Sequence, residues 1–267
     1  MLDQLLSRGY RWAFVSNADN LGATLDPAIL AWIAREELPF LMEVADRTPA
    51  DRKGGHLARR ADGGGLVLRE VAQTPESDLG AFQDISRHRF FNTNSVWLDL
   101  ERVAADLAGD GVIDLPMIVN RKTVDPADPG SPAVIQLETA MGAAIACFNG
   151  AEGVRVPRSR FLPVKTTDDL LVLRSDAYVL DERSHVVAAP GREGAPPPLV
   201  RLDPDRFKLV ADFDARFPSG PPSLVECESL TVEGDVRFGR GVVVRGVVTV
   251  SAGDSALELA DGTVLEG

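Results

Sequence analysis

Four polar clusters in this 267-residue sequence follow or interrupt apolar stretches, where layered α/β sheets build ligand sites. They are Ser16-Asn17-Ala18-Asp19-Asn20-Leu21-Gly22, Lys53-Gly54-Gly55, Asn92-Thr93-Asn94 and Arg158-Ser159-Arg160-Phe161-Leu162-Pro163-Val164-Lys165-Thr166. Asparagine amides both donate and accept hydrogen bonds, which suits sugar hydroxyls. Gly54 and Gly55 let backbone approach a ligand closely. Asp19 offers a hard carboxylate to Mg²⁺ carried by phosphates, and Lys165 a point charge for a phosphate oxygen. The chemistry these residue types suit is recognition of a polyhydroxylated, phosphorylated ligand.

Each cluster alone has a plainer reading. Asn and Asp after a strand form turns, and Lys-Gly-Gly makes a hairpin tip. The Asn-Thr-Asn run is harder to read as structure only, because buried amides need partners. Four such clusters in one sheet favour a site. No nucleophile triad is visible, and His56, His88 and His185 stand without an evident partner in the sequence. That points to direct displacement at phosphorus, where positioning and charge neutralisation do most of the catalysis. Only four of the 28 basic residues are lysines (Lys53, Lys122, Lys165 and Lys208). A surviving lysine marks a place where a compact ammonium is needed, although base composition explains most of the bias.

The elements that must carry these clusters alternate in type. Strand patterns lie at 10–15, 40–44 and 66–72, with a further one at 90–98 interrupted by Asn92-Thr93-Asn94. Asp26-Pro27 opens a helix as N-cap and first helical residue, with Ile29, Leu30, Ile33 and Ala34 at helical spacing. A short helix is expected at 101–107, an apolar helix at 137–148 and a short strand at 161–164. A further helix over 170–173 starts from Thr166-Thr167-Asp168-Asp169. This is an α/β layered pattern. The stretch 183–198, rich in glycine and proline, reads as an exposed loop.

Beyond Pro221-Pro222 the period changes. Leu224, Leu230, Val236, Val242 and Val248 recur every six residues, and Glu226, Val232, Phe238, Val244, Val250 and Ala256 form a second register. Glycines and acids fill the turns, which is the signature of a parallel β-helix. The expected organisation is an α/β domain at 1–198, a linker at 199–222 and a β-helix at 223–267.

With 28 basic and 40 acidic residues the net charge is −12, the wrong sign for a general nucleic-acid binder. No apolar run spans a bilayer, the start lacks a secretory pattern, and two cysteines make no disulfide framework or zinc site. A soluble, cytoplasmic protein with no membrane partner is the expectation.

Several motifs together resemble one family. Phe14-Val15-Ser16-Asn17-Ala18-Asp19-Asn20-Leu21-Gly22-Ala23-Thr24, Phe40-Leu41-Met42-Glu43-Val44, Lys53-Gly54-Gly55, Phe91-Asn92-Thr93-Asn94, Gln136-Leu137-Glu138-Thr139-Ala140 and Val156-Pro157 through Lys165-Thr166-Thr167 are similar to the UTP–glucose-1-phosphate uridylyltransferases (eukaryotic-type UDP-glucose pyrophosphorylases). The resemblance implies a partial Rossmann-like nucleotidyltransferase sheet followed by a left-handed parallel β-helix. It implies reversible transfer of uridylyl from UTP to glucose 1-phosphate, with Mg²⁺, releasing pyrophosphate. Carried over by motif, Asn17 and Asp19 match positions contacting the sugar nucleotide, with Asp19 near the metal. Gly55 and Glu70 match positions facing the sugar, Asn92 and Asn94 the amides on the hexosyl hydroxyls, and Lys165 the catalytic lysine reaching the phosphates. The open end of such a coil exposes unpaired strand edges, and some family members self-associate through this region while others stay monomeric; a homo-oligomer through the β-helix is the expectation.

Two departures stand out. The family's Asn-Thr-Asn-Asn reads Asn92-Thr93-Asn94-Ser95, a hydroxyl in place of an amide that bears on the choice of hexose phosphate. The family's glycine-rich nucleotide loop belongs to the half before Ser16, and Gly63-Gly64-Gly65, ahead of a strand, does not replace it. The expectation is therefore a C-terminal portion, nearly inactive alone. The alternative is a non-catalytic module that binds sugar nucleotide or only assembles.

Overall fold

The computed structural model describes residues 1–48, 51–52, 54–109, 111–128, 130–253 and 255–267, mixing helices with several sheets. Two units are distinguished: residues 1–18 with 23–161, and residues 19–22 with 162–267. No helix among the described residues is long and apolar enough to cross a membrane.

The first unit is built on a mixed sheet. Its strands are β1 (Trp12–Val15), β2 (Phe40–Asp46), β3 (His56–Arg59), β4 (Leu66–Arg69), β5 (Phe90–Asp99) and β8 (Glu152–Arg155). The order is β4-β3-β5-β2-β8, with β1 paired to β5; only β2–β8 is parallel. Side-chain alternation sorts the core. Leu41 and Trp97 face one side, where Ile33 of α2 (Pro27–Arg35) covers them. Phe40, Met42 and Val96 face the other, against Ala144 and Ile145. α1 (Leu2–Ser7), α3 (Leu79–Phe82) and α4 (Leu100–Leu107) complete the helices of this unit. Helix α2 starts where its cap was read: Asp26 accepts from Ala28 N at 2.8 Å with Pro27 in the first turn.

Several expectations need correction. Residues 137–148 are not one helix. Ala133–Thr139 forms β7, paired antiparallel with β6 (Met117–Thr123), and a 3₁₀ turn follows at Met141–Ala146. Leu137-Glu138-Thr139 continues an alternating strand pattern, and Asn120 donates across the pair to Glu138 at 2.7 Å. The strand read at 66–72 ends at Arg69 and gives way to a 3₁₀ turn at Val71–Gln73. At 161–164 there is only an isolated bridge, Asn20 to Pro163. Strand β5 runs from Phe90 to Asp99, but its pairing with β2 breaks at the polar run as expected: Glu43 pairs with Ser95 and Val44 with Asn92, leaving Thr93 and Asn94 as a bulge.

The second unit holds α5 (Thr167–Arg174), β9 (Tyr178–Leu180) and β10 (Val186–Ala188). There follow β11 (Leu199–Leu202), α6 (Pro204–Phe207), α7 (Val210–Arg216) and β12 (Cys227–Glu233). Last come β13 (Val236–Phe238), β14 (Val243–Ser251), β15 (Leu257–Leu259) and β16 (Val264–Glu266). Helix α5 begins with a capping box between Thr166 and Asp169. The stretch 183–198 is not a free loop. β10 pairs with β9, and the buried Arg192 donates to the carbonyls of Val225 and Cys227, each at 2.8 Å.

The expected linker at 199–222 is likewise structured. It supplies β11, α6 and α7, and Phe207, Phe213 and Phe217 are buried in one core with Leu224, Leu230 and Phe238. Burial of those rings in the core that the later strands share is why no boundary falls at 198 or 222.

The six-residue apolar period is expressed as stacked parallel strands in the order β11-β12-β14-β16, with β13 on β15. Leu230 pairs with Val248, three steps on, whereas Val236 pairs with Leu257. The step lengthens after Ser251, and the second register slips at both ends. Glu226 and Ala256 are exposed, while Cys227 is buried and Leu257 half-buried in their stead.

Candidate functional site

In the first unit the structure brings together five of the seven residues singled out. Asn17 follows β1, and Asn92 and Asn94 share one face of β5. Asn94 Nδ2 donates to Asn17 Oδ1 at 3.1 Å, and Asn92 Nδ2 donates to Asn94 Oδ1 at 3.2 Å. Asn94 has φ +60°, a left-handed conformation that asparagine tolerates better than most residues. Its own N–H donates to Asn92 Oδ1 at 2.8 Å, closing that turn. Thr93 between them points inward and donates to the Glu43 carbonyl at 2.8 Å. Each amide has more donor and acceptor positions than these bonds use, so the row is held in place yet able to bind.

Gly55 and Glu70 adjoin this row. Asn92 N donates to the Gly55 carbonyl at 3.0 Å. A Cβ on Gly55 would overlap the Glu70 carboxylate, so a larger residue there would have to displace that group. Glu70 itself follows β4 directly, after the His56–Arg69 pairing. Gly142, in the 3₁₀ turn, is held as closely: a Cβ there would lie 2.8 Å from Asn92 Nδ2. Lys53 lies outside the described residues. Ser95, the departure from the family pattern, is fully buried and its Oγ has no hydrogen-bond partner in the structure, so it presents nothing to a ligand.

The other two residues, Asp19 and Lys165, belong to the second unit. Val164 N donates to the Asp19 carbonyl at 2.9 Å, and Leu21 N to the Leu162 carbonyl at 3.0 Å. The buried Asn20 amide locks the same crossing: Oδ1 accepts from Leu162 N at 2.8 Å and Gly22 N at 3.2 Å. The backbone thus sets Asp19 beside the segment that ends in Lys165. Lys165 is exposed, and its N–H donates to Asp169 at the start of α5.

Asp19 Oδ1 is buried without a hydrogen-bond partner. A shielded carboxylate oxygen of this kind fits a hard cation, and Mg²⁺ takes one or two protein carboxylates plus substrate phosphates. No group of three or more His, Cys, Asp or Glu side chains able to hold a metal occurs among the described residues.

Sequence reasoning passed over two supporting groups. Glu43 is fully buried in the apolar run of β2 and is answered by Arg160 and Trp97. A lone carboxylate in an otherwise apolar strand was the available signal, since a buried charge must be paired. The second group is histidine-based. His56 stacks on His88 with ring centroids 4.1 Å apart, and burial pushes His56 down to about 3 and lowers His88 as well. Both rings are therefore neutral near pH 7. His185 Nδ1 lies 3.4 Å from Asp181 Oδ2 on the second unit.

A model of the family described as UTP–glucose-1-phosphate uridylyltransferase matches residues 1–245. The Hordeum vulgare protein of that name is 45% identical over 266 residues, covering 99% of this chain and 54% of that protein. The Encephalitozoon cuniculi one is 42% identical over 267 residues, covering 100% and 52%. Among solved structures, UDP-glucose phosphorylase from Trypanosoma brucei matches with TM-score 0.89 and 48% identity, over 99% of this chain and 57% of that one. A Leishmania major UDP-glucose pyrophosphorylase variant in complex with UDP-glucose matches with TM-score 0.87 and 47% identity, over 99% and 58%. The chain spans about half the length of the curated relatives it matches.

Proposed function

The chain belongs to the UTP–glucose-1-phosphate uridylyltransferase family of nucleotidyltransferases, and from that premise we propose that it handles the hexose phosphate in uridylyl transfer. The reaction is displacement at phosphorus: a phosphate oxygen of glucose 1-phosphate bonds to the α-phosphorus of UTP and pyrophosphate leaves, giving UDP-glucose. The observation that carries this reading is the linked amide row Asn17–Asn94–Asn92. Its held but unsaturated amides suit sugar hydroxyls, with Gly55 and Glu70 alongside.

Lys165 is the catalytic residue of this reading, a compact ammonium that neutralises phosphate charge as it builds. Asp19 is the residue that would hold Mg²⁺, which when bound supplies charge neutralisation at the phosphates. Neither step needs a nucleophile from the protein. By itself the chain is nearly inactive in this reading, because the nucleotide loop that the resemblance implies is not in its sequence. A pyrophosphate-release assay with UTP, glucose 1-phosphate and Mg²⁺ tests it. Turnover of around 10 per second by this chain alone would overturn that part of the reading.

We read the stacked strands from β12 onward as a parallel β-helix that mediates self-association. Support comes from the parallel pairings and the buried six-residue series, and from β16, which pairs only with β14 among the described strands. The unpaired cysteines accord with a cytoplasmic setting.

A further inference from the structure

Arg47 directly follows β2 and is buried, and its guanidinium is answered almost wholly by main chain. Nη1 donates to the Phe82 carbonyl at 3.0 Å and to the His88 carbonyl at 3.3 Å. Nη2 donates to the carbonyls of Arg52 at 2.7 Å and Asp51 at 3.2 Å. The His56 ring lies against Nη1 as well, at 3.4 Å to Nδ1. A buried cation is costly to keep. Here the planar fork grips two separate stretches of backbone at once, which a compact ammonium could not do.

Those two stretches converge on the amide row. Asp51 and Arg52 lead towards Gly54 and Gly55, and Gly54 N donates to the same Asp51 carbonyl at 2.9 Å. Phe82 and His88 lead into β5, which carries Asn92 and Asn94. The stretches join where Asn92 N donates to the Gly55 carbonyl at 3.0 Å. Gly55 lies on the Glu70 carboxylate with no space for a Cβ, so a shift of this backbone must move Glu70 or strain the bond to Asn92.

A second arginine holds the same stretch from the solvent side. Arg158 Nη1 donates to Asp51 Oδ2 at 2.8 Å, and its guanidinium lies over the Phe91 ring, 4.8 Å from the centroid. Asp51 Oδ2 also accepts from Thr48 N at 2.8 Å and from Thr48 Oγ1 at 2.7 Å. All of these residues belong to the first unit.

We propose that Arg47 is a positioning residue for the amide row: by gripping the carbonyls of Asp51, Arg52, Phe82 and His88 it fixes Gly55 against Asn92 and Glu70, and so sets the affinity for hexose phosphate. This deepens the hexose-phosphate reading given above and rests on it. Arg47 acts through the backbone that it holds, and preorganisation of that backbone is what it contributes to binding.

The test uses this full chain and Arg47→Met, with glucose 1-phosphate as the probe because that ligand asks nothing of a nucleotide loop. Amide hydrogen exchange followed by NMR should speed up at Gly54 and Asn92 by about tenfold or more, with Leu41 and Trp97 unchanged. Titration followed at the side-chain amides of Asn17, Asn92 and Asn94 should show Kd for glucose 1-phosphate raised by at least about tenfold. Arg158→Gln, a change at a half-exposed side chain, should move both readouts the same way by less. If circular dichroism shows Arg47→Met unfolded, Arg158→Gln decides by the same two readouts. An unchanged Kd in a folded variant would overturn the proposal. Exchange that rises equally at Leu41 and Trp97 would overturn it too, since Arg47 would then serve stability alone. A wild-type chain that ignores glucose 1-phosphate would instead overturn the hexose-phosphate reading, and unchanged exchange at Gly54 and Asn92 would overturn the grip of Arg47 by itself.

Discussion

Arg160 meets Glu43 through two hydrogen bonds, Nε to Oε2 at 2.8 Å and Nη2 to Oε1 at 2.7 Å. Trp97 Nε1 donates to the same carboxylate at 2.9 Å, and Arg160 also reaches the Thr24 carbonyl at 2.7 Å. The pair sits inside the fold, with Glu43 fully buried. Its removal is therefore asymmetric. Arg160→Ala strands a buried carboxylate and should cost about 3–5 kcal/mol, whereas Glu43→Gln with Arg160→Met should cost much less than Arg160→Ala alone. Urea unfolding followed by tryptophan fluorescence reads both. Equal losses would mean the carboxylate is solvated rather than buried.

His56 predicts an acid-side loss of stability. Its folded value of about 3 lies below the ordinary 6.5, because burial beside His88 and Arg47 disfavours the charged ring. Between those two values the unfolded chain binds the extra proton, so stability rises with pH across that window and is flat above it. Acidification from pH 6.5 towards 3 should remove roughly 4 kcal/mol through this residue. His56→Gln should flatten that part of the stability–pH curve while carboxylates set the remainder. Identical slopes in both proteins would remove His56 from the account.

Asn94 separates backbone strain from ligand contact. Its φ of +60° suits glycine and asparagine but costs an alanine about 1 kcal/mol. Thermal denaturation should rank Asn94→Gly above Asn94→Ala in stability. In enzyme completed by the rest of the family's length, and on the proposed function, calorimetric titration with UDP-glucose should show both variants losing affinity, because both lack the amide that links Asn17 to Asn92. Retained affinity in Asn94→Gly would take the amide out of sugar recognition.

Lys165 is exposed, so its loss should fall on chemistry and leave stability within about 0.5 kcal/mol. In enzyme completed by the rest of the family's length, Lys165→Ala should lower kcat more than it raises KM for glucose 1-phosphate. Lys165→Arg should also be damaging, since a planar fork does not replace a compact ammonium. An unchanged kcat with a raised KM would make it a ground-state binding residue.

What the sequence made legible followed local chemistry. The Asp26-Pro27 cap, the Thr166 helix start and the buried six-residue series all depend on neighbours in the chain, and the structure has them. The gathering of Asn17, Asn92, Asn94, Gly55 and Glu70 was implied by the family resemblance and not by any periodicity or spacing. Long-range partners were hidden. Leu137-Glu138-Thr139 is a strand only because 117–123 lies beside it, and Glu43 looks like a misplaced charge until Arg160, 117 positions on, is seen against it. The stretch 199–222 read as a linker because its phenylalanines find their core only in later strands.

That shared core decides how self-association must be tested. Deleting everything from Ser223 would remove Leu224, Leu230, Val236 and Phe238 from against Phe207, Phe213 and Phe217. Losing several fully buried apolar side chains at roughly 2–5 kcal/mol each exceeds a domain's usual margin of stability. The truncated chain should therefore lose the fold of its second unit, and light scattering on it would say nothing about assembly. A surface change is the better probe. Val264 in β16 is about half-exposed, and Val264→Arg places a charge on the last strand without entering the core. If the stacked parallel strands join copies through β16, Val264→Arg should shift an oligomer to monomer with its circular dichroism unchanged. A wild-type chain already monomeric at high concentration would sink the idea.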